Sequence, residues 1–365
     1  MQPKANIVNL PVYQPGKPIE DVKRELGLTE VTKLASNENP FGCSERVKSA
    51  IEEQLHNVNI YPDGGSVELT AELSAFLGVQ PGQIIFGSGS SDIILMLARA
   101  YLAPGDETIM ADETFSQYKH NATVENAAVI EAPLKDGVYD LPGILERITD
   151  KTKIVWICNP NNPTGTIVAH DQLVDFLKQV PEHVLVVLDE AYGEFVVDPA
   201  YSDGVKLLPE HRNLVVLRTF SKSYGLASLR IGYGIGHADV IRFINQVREP
   251  FNTSRMAQAA ARAALGDRAF IDYCREQNKA GIDYLCGEFD RLGLTYFPAH
   301  GNFVMVDVRQ PSAGVFAAML RRGVIIRANW THYPEHIRVS VGTREQNEKF
   351  IAALEQVLQE AAVQG

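Results

Sequence analysis

The chain has 365 residues, with 34 Lys and Arg against 45 Asp and Glu, a formal net charge of −11 that excludes a polyanion binder held by bulk charge. Its 45% apolar and 22% charged residues exclude a disordered or fibrous chain. Four cysteines without a Cys-x-x-Cys pair fit a reducing compartment better than a disulfide framework or a zinc ribbon.

The N-terminal stretch has no apolar run long enough for a signal peptide, and no run approaches the ~20 residues that span a bilayer, so a cytoplasmic protein without a membrane partner is expected. Residues 1–40 read as an arm that joins a second domain. From about 45 to 250, short apolar runs alternate with helical patterns, the mark of a parallel sheet with helices on both faces. Seven strands are predicted, at 83–86, 108–111, 129–132, 154–157, 184–188, 214–217 and 231–235. Several are apolar on consecutive residues, as burial on both faces demands. Helices are predicted at 90–101, with Ile93, Ile94, Leu97 and Tyr101 at helical spacing, and at 239–247. Pro250 removes a backbone donor, so 248–252 reads as a hinge closing a large domain at 41–250.

Residues 251–365 read as a smaller α+β domain. A long helix there carries Phe270, Cys274, Leu285, Phe289 and Leu292 near one face, with interruptions expected at Asn278 and Gly281. Strands follow at 302–308, 324–328 and 337–341, around a helix at 313–322. The last helix opens on Thr343-Arg-Glu-Gln346, a capping box, and should bury Phe350, Ile351, Leu354, Val357 and Leu358.

Chemistry gathers at strand ends. Asp189 and Glu190 end an apolar strand, where open α/β sheets bind ligands, and a carboxylate buried there needs a cationic or hydrogen-bonding partner. Lys222 sits between hydroxyls, with Arg230 beyond it. A desolvated lysine near other cations has a lowered pKa and can attack a carbonyl. The turn NPNNPTG (159–165) supplies amide dipoles at the same rim. Singly, each has a plainer reading as a helix start, a surface charge or a turn. Together they keep a fixed order: the acid lies 27 residues past Asn162, the lysine 33 past the acid, and the arginine 8 past the lysine.

With LASNENPFG (34–42), YPD (61–63), DEAY (189–192), RTFSKSYGLA (218–227), RIGY (230–233) and RVSVGT (338–343), this arrangement resembles the fold-type-I pyridoxal-phosphate aminotransferases, and within them the histidinol-phosphate aminotransferase family. The resemblance implies an α/β large domain with a mostly parallel seven-stranded sheet, and pyridoxal 5′-phosphate as cofactor. Lys222 would bond its aldehyde and then move protons, Asp189 would pair with the pyridine nitrogen, and Asn162 and Tyr192 would bond the ring's 3-oxygen. The phosphate would lie at the helix opening on Ser90 and Ser91, with Ser221, Arg230 and Thr219 completing the cradle. Phe115 would stack on the ring, or else be a core aromatic.

The family also implies a homodimer in which Tyr61 reaches the neighbouring subunit's cofactor. Arg338 would bind the substrate carboxylate or phosphate, while Arg327 and Tyr13 either grip the phosphate of histidinol phosphate or, for Arg327, mark a strand end. No metal and no nucleic acid are implied. The reaction expected is transfer from histidinol phosphate to 2-oxoglutarate; aromatic-amino-acid transamination and threonine-phosphate decarboxylation are the alternatives. Two departures stand out: Ser91 occupies a position often acidic in the phosphate loop, and Glu113 replaces a frequent proline, which should loosen the loop that carries Phe115.

Overall fold

The computed structural model describes residues 1–12 and 16–364. In chain order, the first part holds α1 (Ile19–Leu26), β1 (Thr32–Lys33), α2 (Glu45–Gln54), α3 (Val67–Leu77), β2 (Ile84–Gly87), α4 (Ser90–Tyr101), β3 (Glu107–Ala111), α5 (Gln117–Val124) and β4 (Ala128–Ala132). Next come α6 (Leu141–Leu145), β5 (Thr152–Cys158), α7 (His170–Gln179), β6 (Leu185–Asp189), β7 (Leu214–Thr219), β8 (Gly232–Gly236) and α8 (Ala238–Gln246). The last part comprises α9 (Arg255–Leu265), α10 (Arg268–Arg291), β9 (Phe303–Asp307), α11 (Ser312–Arg321), β10 (Val324–Ile325), β11 (His336–Ser340) and α12 (Arg344–Gln364).

The central sheet has seven strands in the order β2-β8-β7-β6-β5-β3-β4. All seven coincide with predicted strands. β8 runs antiparallel to both neighbours, β2 and β7, whereas the other pairings are parallel. The strands β5, β6 and β7 are almost wholly buried, which is why they read as unbroken apolar runs.

A second apolar cluster gathers Leu285, Phe289, Val304, Val306, Val339, Phe350 and Leu354, and Leu34 of the N-terminal arm joins it. β1 pairs in parallel with β10, so the arm is stitched into this second unit. Between the two clusters the chain changes allegiance gradually. Ala257, Ala260, Ala261, Ala264 and Ile271 pack into the first cluster, well past the expected hinge at 248–252.

The expected interruption of the long helix is not found: α10 runs unbroken for 24 residues. Asn278 is buried and donates from Nδ2 to the Gly301 carbonyl at 3.0 Å. A Cβ built on Gly281 would lie 2.3 Å from Val341 Cγ1. Both residues therefore serve close approach to the chain just before β9 and just after β11, and tertiary packing outweighs their low helix propensity. At the start of α12 the Thr343 hydroxyl accepts from Gln346 N at 3.3 Å and Gln346 Oε1 accepts from Thr343 N at 2.9 Å, the capping box the sequence predicts.

Candidate active site

Where β5, β6 and β7 end and α4 begins, a cavity of about 660 Å³ opens between the two apolar clusters. Ser90, Ser91, Phe115, Asn162, Asp189 and Tyr192 line it from one side of the sheet edge, and Thr219, Ser221, Lys222, Arg230, Arg327 and Arg338 complete it. Tyr13 lies outside the described residues, although its neighbours Val12 and Gly16 are in the lining. Tyr61 is elsewhere: it is 76% exposed and stacks on Phe251 with ring centroids 4.6 Å apart.

The two acids ending β6 divide by strand alternation. Asp189 is 2% exposed in the cavity wall; its Oδ2 accepts from the Tyr118 hydroxyl at 2.7 Å and its Oδ1 from Ala191 N at 3.1 Å. Burial pushes its pKa up to about 6, against the pull of those two donors. Glu190 turns away, accepting two bonds from Arg218 at 2.8 and 3.0 Å and one from Gly204 N at 2.8 Å. Only the first acid is available to a ligand. The sequence reading missed Tyr118, which lies one helical turn past Phe115 and is held by stacking on fully buried Trp156.

Lys222 lies just past β7, its Nζ donating to the Ser36 carbonyl at 3.2 Å and sitting 5.6 Å from the Tyr192 ring centre. Burial, Arg338 and Arg230 push its pKa down to about 8, with Glu38 and Asp189 opposing. The Tyr192 hydroxyl accepts from Asn37 Nδ2 at 3.1 Å and Asn162 Nδ2 at 3.3 Å, and burial pushes its pKa up to about 12. Asn37 is a second residue missed, though its φ of +54° is one that asparagine tolerates well.

An anion cradle forms at the start of α4. Gly89 has φ of +80°, and a Cβ on it would stand 2.4 Å from Arg230 Nη2; one on Gly232 would stand 2.4 Å from Ser90 N. Those glycines let the guanidinium approach the free amides of the first helical turn. Arg230 is steadied by the Ser221 hydroxyl at 3.2 Å and the Ala227 carbonyl at 3.1 Å. The Thr219 hydroxyl accepts from Ser221 N at 3.1 Å and shapes the cradle's backbone. Asp92 accepts from Ser88 N and Asn252 Nδ2, closing the loop, so an acid at position 91 is not needed for that.

Opposite stands Arg338, reaching across from β11. It donates to the Ala35 carbonyl at 2.8 Å and to Asn162 Oδ1, and its guanidinium carbon lies 5.2 and 5.6 Å from the rings of Phe303 and Trp330. Arg327 exchanges backbone hydrogen bonds with Arg338, which sets the two arginines on neighbouring chain segments. The loop carrying Phe115 is not loosened by Glu113, contrary to expectation. Glu113 is 9% exposed, its Oε2 accepts from His332 N at 3.0 Å, and its carbonyl accepts from Asn161 Nδ2 at 3.1 Å.

Residues 29–354 match the family model for aminotransferase class I and II. The chain belongs to the class I and II aminotransferases. It is 53% identical to a histidinol-phosphate aminotransferase of Brevibacillus brevis, over 98% of this chain and 99% of that one. It is 49% identical to one of Bacillus subtilis, over 98% and 100% of the respective chains. Among solved structures, a histidinol-phosphate aminotransferase of Sinorhizobium meliloti in complex with pyridoxal-5′-phosphate superposes with a TM-score of 0.91 at 26% identity, covering 98% of both chains. The expected fold-type-I architecture is thus established together with the family.

Proposed function

We propose that this aminotransferase uses pyridoxal 5′-phosphate to transfer the amino group of L-histidinol phosphate to 2-oxoglutarate, giving imidazole-acetol phosphate and L-glutamate in histidine synthesis. The observation that carries the reading is one cavity holding a buried lysine of lowered pKa, a buried carboxylate and an anion cradle, with two arginines on the facing wall. This set fits the cofactor. The cradle suits a phosphate, Asp189 suits a ring nitrogen that must keep its proton, and Lys222 suits an aldehyde.

Lys222, Ser90, Ser221, Arg230, Asn162 and Tyr192 would hold the cofactor, with Phe115 against its ring. When bound, the cofactor supplies an electron-accepting ring that stabilises negative charge at the substrate Cα. Asp189 keeps a proton on the ring nitrogen, and Tyr118 holds Asp189 in place. Lys222 Nζ, with an appreciable neutral fraction near pH 8, takes the proton from the substrate Cα. Arg338 binds a carboxylate or phosphate, which a guanidinium fork grips alike. Arg327 adds a second cation for the doubly charged phosphate.

We read the working form as a homodimer in the cytoplasm. Support comes from Tyr61, exposed within one chain and outside its own cavity, and from four cysteines left as thiols. Among the described residues no helix is long and apolar enough to cross a membrane. The deciding experiment offers histidinol phosphate, phenylalanine and threonine phosphate separately with 2-oxoglutarate, scoring glutamate against released carbon dioxide. Glutamate from histidinol phosphate is expected. Carbon dioxide from threonine phosphate, or faster turnover of phenylalanine, would overturn this assignment of substrate.

A further inference from the structure

Two pieces of chain that line the cavity are joined by a hydrogen bond between residues 219 apart. One is the turn after β3, Asp112 to Phe115. The other is a strap, 329–333, that leaves Arg327 and returns to β11. We propose that Glu113 is a positioning residue: its carboxylate clasps the strap from across the cavity and, through Trp330, fixes the guanidinium of Arg338 for substrate. This rests on the reading of Arg338 as the substrate-binding arginine.

The clasp has a firm half. The backbone of Glu113 is tied to the strand-end turn by Asn161, and Asp112 Oδ1 accepts from Leu134 N at 3.1 Å. From that base Glu113 Oε2 takes the His332 N–H at 3.0 Å, while Asp112 Oδ2 lies 3.6 Å from His332 Nδ1. A carboxylate shielded from water makes a strong acceptor for a backbone amide.

The strap is held on its own side by Asn329 N on the Ser312 hydroxyl at 3.3 Å and by Tyr333 packed edge-on against Phe297 at 5.3 Å. Between these anchors stands Trp330, in the cavity lining, with its ring 5.6 Å from the Arg338 guanidinium carbon. Of the two aromatic rings near Arg338, Phe303 is fully buried against Tyr192 and Phe195, so its position needs no help. Trp330 sits on the strap and moves if the strap moves. Holding a binding group at its productive geometry through locked neighbours is what lets a contact act on substrate without first being ordered.

The chain has only two tryptophans, and Trp156 is fully buried, so acrylamide quenching of the holoenzyme's fluorescence reports on Trp330. Glu113→Ala should increase that quenching. It should also raise KM for histidinol phosphate and for 2-oxoglutarate roughly tenfold, the loss expected for one hydrogen bond, and change kcat less than about twofold. Glu113→Gln keeps an oxygen for the His332 N–H and should restore both readouts. Trp330→Leu leaves the clasp in place and should raise both KM values by the same route.

Unchanged quenching in Glu113→Ala, a Glu113→Gln variant as impaired as Glu113→Ala, or a fall in kcat at unchanged KM would each overturn the proposal. The quenching arm needs no substrate, so it decides on the clasp even if histidinol phosphate proves not to be turned over. That outcome would overturn the substrate reading instead.

Discussion

Burying an ammonium ion is costly, and Lys222 bears that cost in the free protein. Its pKa near 8 in the fold against the ordinary 10.5 means that the unfolded chain holds more protons between those two values. Stability of cofactor-stripped protein should therefore rise with pH from about 8 to 10.5, with the full penalty present below that window. Lys222→Met should remove the rise in melting temperature across it, and a rise that persists in the variant would assign it to another group. With cofactor, Lys222→Ala should fold and bind yet lose almost all turnover. Asp189→Asn should keep cofactor occupancy while turnover collapses, because an amide cannot hold a ring proton by charge; near-normal kcat would make the acid merely structural. Arg218 differs in kind. It neutralises the fully buried Glu190, so Arg218→Leu should cost on the order of 3–5 kcal/mol in denaturant unfolding by stranding that charge.

At the level of whole elements, α10 and α12 show propensity and packing pulling in opposite and in like directions. Gly281→Ala gains helix propensity of at most about 1 kcal/mol but drives a methyl into Val341. Overpacking of this kind costs about 1–3 kcal/mol, so a net loss of stability is expected in chemical denaturation. An increase would show that α10 can shift on β11. In α12 both effects agree: the capping box satisfies two amides and the apolar stripe buries Phe350 and Leu354. Thr343→Ala should cost about 1 kcal/mol in chemical denaturation, and an unchanged midpoint would show that the cap contributes nothing. β8 runs antiparallel to β7 because the chain reverses between them, through the connection that carries Lys222 and Arg230. The reversal places Lys222 and Arg230 in one connection between two paired strands.

For the whole molecule, the dimer reading makes its own prediction. If Tyr61 serves the neighbouring subunit's cofactor, Tyr61→Phe and Lys222→Ala damage the same site from different chains. Mixing the two inactive or weakened variants should then regenerate some intact sites, and activity should rise above the sum of the parts. No gain after exchange of subunits would place Tyr61 outside the site. The inner strands β5, β6 and β7 of the central sheet were legible from the chain because a strand buried on both faces must be apolar on consecutive residues, whatever it pairs with. That Asn162, Asp189, Lys222 and Arg230 would share one cavity was legible because the ends of neighbouring parallel strands meet at one edge of the sheet. Neither signal reaches further. That Glu190 turns inward to Arg218, that Tyr118 holds Asp189, that α10 continues through Asn278 and Gly281, and that Glu113 meets His332 all depend on which distant atoms fill the space beside each residue. Local patterns record burial and period, and a polar side chain's partner is chosen only when distant stretches of chain pack together.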